Sequence, residues 1–177
     1  TANIGILINI SADANGKPLL SWRVHILPYL DQEALYKEFH SNEPWDSEHN
    51  KKLIAKMPAV YRQPNGDAKA FKTNYLVPVA KGTIFETLQP SKLNSITDGT
   101  SNTIMVVEAS LDRSVDWTKP DDVEIDLAAP FKGLLGLRPN GFYAAFADGS
   151  VQFLQEKLGA ESLRGLLTKA GGEVVER

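Results

Sequence analysis

The sequence predicts an α+β fold, an antiparallel sheet with short helices packed on it, and three observations carry that prediction. Residues 141–154 read GFYAAFADGSVQFL, two strand-like runs around an Asp148-Gly149 pair, which is the pattern of a β-hairpin. Thr103 to Glu108 is apolar at consecutive positions, as in a strand covered on both faces. Helical patterns come first, strand patterns next and one helix last, without the strand-helix alternation that parallel crossovers need.

The hairpin organises the remainder. A tight type I′ turn at Asp148-Gly149 would need positive φ at both residues, which Asp tolerates and Gly accepts freely. Phe142, Ala144 and Phe146 fall on one face of the incoming strand, while Val151 and Phe153 share a face of the outgoing one. Both faces are largely apolar, which predicts a place inside a sheet.

From the start of the chain, Ile4 to Ile10 fits either a short strand or a frayed helix end. Ser21 is a fitting N-cap for a helix from Trp22 to Leu27, interrupted by Pro28 and resumed from Asp31 to Phe39. Asp46 or Ser47 caps a further helix in which Leu53, Ile54 and Met57 face inward until Pro58. Ala59 to Arg62 then reads as a short strand, Pro64 to Asp67 as a turn and Thr73 to Val77 as a strand. A long irregular stretch runs from Asp112 to Asn140, and such loops are usually functional or mobile. Ala160 to Ala170 closes the series as an amphipathic helix with Leu163, Leu166 and Leu167 on one face, stopped by Gly171-Gly172.

With 177 residues, 42% apolar and 23% charged, the chain is expected to be a single globular domain over residues 1–177. Its net charge of −3, without a basic block, argues against nucleic acid as a partner. The absence of cysteine excludes disulfides, thiolate metal sites and a cysteine nucleophile. The apolar opening, TANIGILINI, falls short of the roughly 20 residues that span a bilayer, so a membrane link is expected only through a segment outside this chain.

No Gly-x-Ser-x-Gly, His-Glu-x-x-His or phosphate-cradling glycine loop occurs, and no catalysis is expected. His40 and His49 bracket Glu43, Asp46 and Glu48 in a spacing that matches no ligand grammar, so no metal site is expected there. Asp98 to Asn102 carries oxygen ligands of the kind calcium accepts, as does the cluster of Asp116, Asp121, Asp122 and Glu124. Turns and solvated faces use the same residues, and calcium is only a weak candidate. Trp22, Trp45 and Trp117 lie in or beside loops, where an aromatic ring either stacks on a sugar or partner or closes the edge of a core.

Four segments taken together carry a family resemblance: Ser21-Trp22-Arg23-Val24 through Leu27-Pro28-Tyr29-Leu30; Glu43-Pro44-Trp45-Asp46-Ser47; Ile96 to Ile104; and Phe146 to Val151. In this order the chain resembles the planctomycete family of prepilin-like proteins of unknown function, also catalogued as family-10 bacterial extracellular solute-binding proteins. The resemblance implies a pilin-like globular head that is periplasmic, on the cell surface or extracellular. Its work would be self-assembly or protein interaction, with binding of a small solute or glycan as the alternative. Family members often place a histidine ten positions before the Asp-Gly turn, where this chain has Arg138, and a Cys-Pro where it has Gln63-Pro64. The resemblance thus adds Arg138 and Asp148 to Trp45, Asp98, Asn102 and Trp117 as ligand or interaction candidates. Arg138 is expected near the Asp148 turn, under the loop from Asp112 to Asn140. A straight strand would separate the two by about 30 Å, so Pro139-Asn140-Gly141 must reverse the chain or a second subunit must complete the pair.

Overall fold

A computed structural model describes residues 11–63, 70–86 and 91–172. The strand or helix end expected at 4–10 and the turn at 64–67 lie outside them. The described α-helices are α1 (Trp22–His25), α2 (Glu33–Glu38) and α3 (Ala160–Leu167). The strands are β1 (Lys72–Thr73), β2 (Tyr75–Leu76), β3 (Pro78–Val79), β4 (Ile104–Glu108), β5 (Val115–Asp116), β6 (Val123–Glu124), β7 (Gly141–Phe146) and β8 (Val151–Gln155). The chain divides into two compact units, one drawing on residues 11–73 and 115–121 and the other on 74–114 and 122–172.

In the first unit the Ser21 hydroxyl accepts the Arg23 N–H and caps α1. Pro28 then shifts the chain into a 3-10 turn, Leu27–Leu30, which ends at Asp31 with φ 56°. The segment after Ser47 is a 3-10 helix, Asn50–Lys56, and the Ser47 hydroxyl accepts the Asn50 N–H. Ala59–Tyr61 is a 3-10 turn and not the expected strand, with the Tyr61 hydroxyl donating to the Arg23 carbonyl at 2.7 Å. Leu20, Val24, Leu27, Leu35, Phe39, Leu53, Met57, Tyr61 and Trp117 form the core of this unit. Arg23 lies wholly buried against it, its guanidinium donating to the carbonyls of Trp117, Lys119 and Asp121. Those carbonyls take the place of water around the cation and fasten residues 117–121 to α1. Antiparallel pairing of β1 with β5 holds the same segment from its other end.

The second unit is built on a four-stranded antiparallel sheet in the order β2-β4-β7-β8. Phe142, Ala144, Phe146, Ile104, Val107 and Leu76 fill its inner face, and each is at most 1% exposed. Leu163, Leu166 and Leu167 of α3 are fully buried, as the helical stripe predicts, and α3 packs beside β4. The expected strand at Thr73 to Val77 is split between the end of β1 and β2, and β3 follows from Pro78, each with a different partner strand. Side chains cause the breaks. Asn74 donates its amide to the carbonyls of Ala109 and Ser110, and Asp122 accepts the Val77 N–H. The long stretch after Asp112 supplies β5 and β6, and β3 pairs with β6 in parallel.

The hairpin forms where expected, but its turn differs. Among its central residues only Gly149 has positive φ, 88°, so Asp148 does not adopt the type I′ conformation. Gly149 N–H donates to Phe146 C=O, and Phe146 N–H to Ser150 C=O, a type I turn closed by a left-handed glycine. Asp148 stabilises it by accepting the Ser150 N–H and hydroxyl.

Candidate functional site on the outer sheet face

Cross-strand pairing decides which residues share the outer face. Tyr75 pairs with Glu108, Val106 with Ala145, Ala145 with Val151, and Tyr143 with Phe153. A register shift between Ile104 and Val106 leaves Met105 and Val106 half-buried, so β4 is covered less completely than its unbroken apolar run predicts. On β8 both Val151 and Phe153 are exposed on this face, as is Tyr143 beside them.

Glu108 is the exception on this surface, a carboxylate only 2% exposed. Arg138 covers it with two charge-assisted hydrogen bonds, Nε to Oε2 at 2.6 Å and Nη2 to Oε1 at 2.9 Å. This fork geometry suits guanidinium and carboxylate and fixes the arginine's orientation. The Arg138 guanidinium also lies 4.8 Å from the centre of the Tyr143 ring, and Tyr143 meets Phe153 edge to face at 5.1 Å. Its bond to Glu108 holds Arg138 firmly in the charged state. Burial, with Glu108 adding to it, raises the Tyr75 phenol and keeps it protonated. The outcome is a ledge that runs from a neutralised ion pair through two aromatic rings to the edge strand.

Gly141 makes the ledge possible. A Cβ there would stand 2.2 Å from the Leu154 carbonyl and within about 3 Å of the Phe153 ring. Asn140, with φ 63°, turns the chain just before it, and Arg138 bridges to Gly141. Pro139-Asn140-Gly141 therefore reverses the chain as anticipated, but the reversal corrects the expected contact. Arg138 meets Glu108 at the Gly141 end of the hairpin, whereas Asp148 lies at the turn end.

The other candidates fall in separate places. Asp98 accepts the N–H groups of Gly171 and Gly172, pinning the segment after α3, and Asn102 donates to the Asp98 carbonyl. Trp45 packs on the core of the first unit. Trp117 is fully buried there, its Nε1 donating to the Ile54 carbonyl and its ring stacked on Tyr61, so no ring face is open to a ligand. Asp121 pairs with Lys119 and Asp122 accepts from Val77, while Asp116 sits in β5. His40 stacks on His49 at 3.5 Å, His40 bonding Glu43 and His49 the Glu38 carbonyl. Among the described residues no three His, Cys, Asp or Glu side chains gather as a metal set. Glu108, Tyr143 and Phe153 were absent from the sequence candidates. A lone acid closing an apolar strand is the signal that marks Glu108, and the Tyr143–Phe153 pairing follows once the hairpin register is known.

By fold this is an α+β protein built on a small antiparallel sheet, carrying a buried ion pair on a largely apolar outer face among the described residues. The chain belongs to the family described as a protein of unknown function (DUF1559), catalogued as a bacterial solute-binding family, whose model matches residues 8–76 and 58–134. Those segments include Glu108 but end before Arg138 and the hairpin. No curated protein matches the chain, and no solved structure does. Among the described residues no helix is long and apolar enough to cross a membrane.

Proposed function

We propose that the chain is the globular head of a pseudopilin-like envelope or surface protein, working by assembly or interaction and not by catalysis. One observation carries this reading: Tyr143, Val151 and Phe153 are exposed together on the outer face, at 40%, 63% and 37%. Contiguous apolar area of this kind marks an interaction site more often than a solvated surface. The family's name as solute-binding supports a place outside the cytoplasm. Protease shaving of intact cells, with detection by an antibody to this head, tests the location. Release of the head from intact cells is expected, and full protection until lysis would overturn it.

A second reading, a solute- or glycan-binding module, has its own observation. An open cleft of about 480 Å³ beside β8 presents Gln152, Gln155, Lys157 and Ser162 next to Phe153, a mixture of amides, a hydroxyl and an aromatic suited to sugars. Thermal shift against a panel of soluble sugars and amino acids separates the two, because a bound ligand raises the midpoint by mass action. A dose-dependent rise that is lost in Gln152→Ala would favour the binding module.

A further inference from the structure

β8 is the last strand of its sheet. The bonds from Phe146 N–H to Ser150 C=O and from Glu156 N–H to Asn140 C=O bracket the β7–β8 ladder. Backbone groups alternate along an antiparallel pair, so Ser150, Gln152, Leu154 and Glu156 turn theirs toward β7. The N–H and C=O groups of Val151, Phe153 and Gln155 consequently face outward, along an edge that no other described strand pairs with. Such edges are ordinarily blunted by a charge, a proline or a bulge. Val-Gln-Phe-Leu-Gln contains neither charge nor proline, and its register with β7 is unbroken from Gly141–Gln155 to Ala145–Val151. An open cleft runs beside it, with Lys157, Leu158 and Ser162 on its other side.

We propose that β8 pairs with β8 of a second copy, antiparallel, about a two-fold axis through Phe153. This rests on the assembly reading above and gives it a surface and a partner. In that register residue 151 faces residue 155 of the other copy and residue 153 faces itself. Three residue pairs then exchange two hydrogen bonds each, using the groups that β7 leaves over. Self-complementarity favours a second copy as the occupant, because the outward backbone groups of 151, 153 and 155 match themselves about the two-fold. The strand itself is uncharged, so no like charges meet across the axis. Its ends differ, Asp148 preceding it and Glu156-Lys157 following it, and antiparallel pairing sets Lys157 of one copy opposite Gly149 and beside Asp148 of the other, with Glu156 opposite Ser150. The contact is isologous and closed, so it yields a dimer and not an open fibre. Phe153 packs on its symmetry mate, and the exposed Val151 and Tyr143 of both copies join one apolar band.

Sedimentation velocity over a wide concentration series tests the proposal, and the natural chain is expected to shift from monomer to dimer. Phe153→Lys and Phe153→Glu each place like charges opposite one another, so each alone should lose the dimer while keeping the monomer's circular dichroism. An equimolar mixture of the two should restore it, because residue 153 faces itself only in this register. The chain has no cysteine, so Phe153→Cys gives a milder second readout. Oxidation should link two copies through that position and not through Leu111→Cys, which is exposed outside β8. A dimer that persists in both charged variants without cross-linking at 153 overturns the β8 pairing and leaves the assembly reading standing. A natural chain that stays monomeric throughout and does not cross-link through Phe153→Cys overturns the pairing, and the surface reading then rests on protease shaving alone.

Discussion

Removing Arg138 strands a carboxylate. Glu108 is 2% exposed and receives both of its short bonds from this one side chain, which is itself 32% exposed. Breaking a buried pair from one side costs about 3–5 kcal/mol, and water entering the site vacated by a partly exposed arginine lowers that to about 2–4 kcal/mol for Arg138→Met. For a chain of this size the loss corresponds to about 5–15 °C in midpoint. Glu108→Gln keeps the shape and one acceptor and should cost less, about 1 kcal/mol. The double variant Glu108→Leu with Arg138→Met removes both charges and should return toward the natural stability, since apolar replacement of a whole buried pair is often neutral. Urea unfolding of all four proteins reads the effects, and a double-mutant cycle isolates the coupling. Arg138→Met within about 0.5 kcal/mol of the natural chain, or a double variant as damaged as the sum of the singles, would refute the reasoning.

The two glycines of the hairpin should fail for different reasons. Gly149→Val meets no neighbouring atom but is strained at φ 88°, and should cost about 1–3 kcal/mol in thermal unfolding, with Gly149→Asn milder. Gly141→Ala drives a Cβ into the Leu154 carbonyl, so it should displace β8 from β7, visible as lost amide protection of Phe142 and Leu154 in hydrogen exchange. Arg23→Met leaves the Trp117, Lys119 and Asp121 carbonyls without their buried donor and should lower stability by about 3 kcal/mol. His25 accepts the Ser11 N–H at Nε2, and burial holds its pKa below the ordinary 6.5. The unfolded chain therefore binds the proton first, and stability should fall as pH drops below about 6.5, a slope that His25→Gln removes.

What was legible in the sequence was local. The hairpin, α3 and the Ser21 cap each rest on residues within a few positions of one another, where periodicity and turn chemistry speak directly. The turn type escaped because Asp-Gly fits two geometries, and the Phe146–Ser150 closure selects between them. The strand at Thr73 to Val77 was divided by Asn74 and Asp122, whose side chains take backbone partners from distant segments. Trp117, flanked by loop-forming residues, gave no local sign of full burial. Arg138 was tied by resemblance to Asp148 ten positions away, while its partner stands 30 positions back in β4.

The fastening of Arg23 to the Trp117 carbonyl spans 94 residues, and Trp117 is a central member of the core that α1 and α2 build. During synthesis the helical unit therefore lacks Trp117 and the acceptors of Arg23 when its own helices emerge. Its core is completed only after residues 117–121 have left the ribosome. Closure over so long a separation makes for slow folding and a prolonged window of exposed apolar surface, in which chaperone binding and aggregation compete with completion of the core.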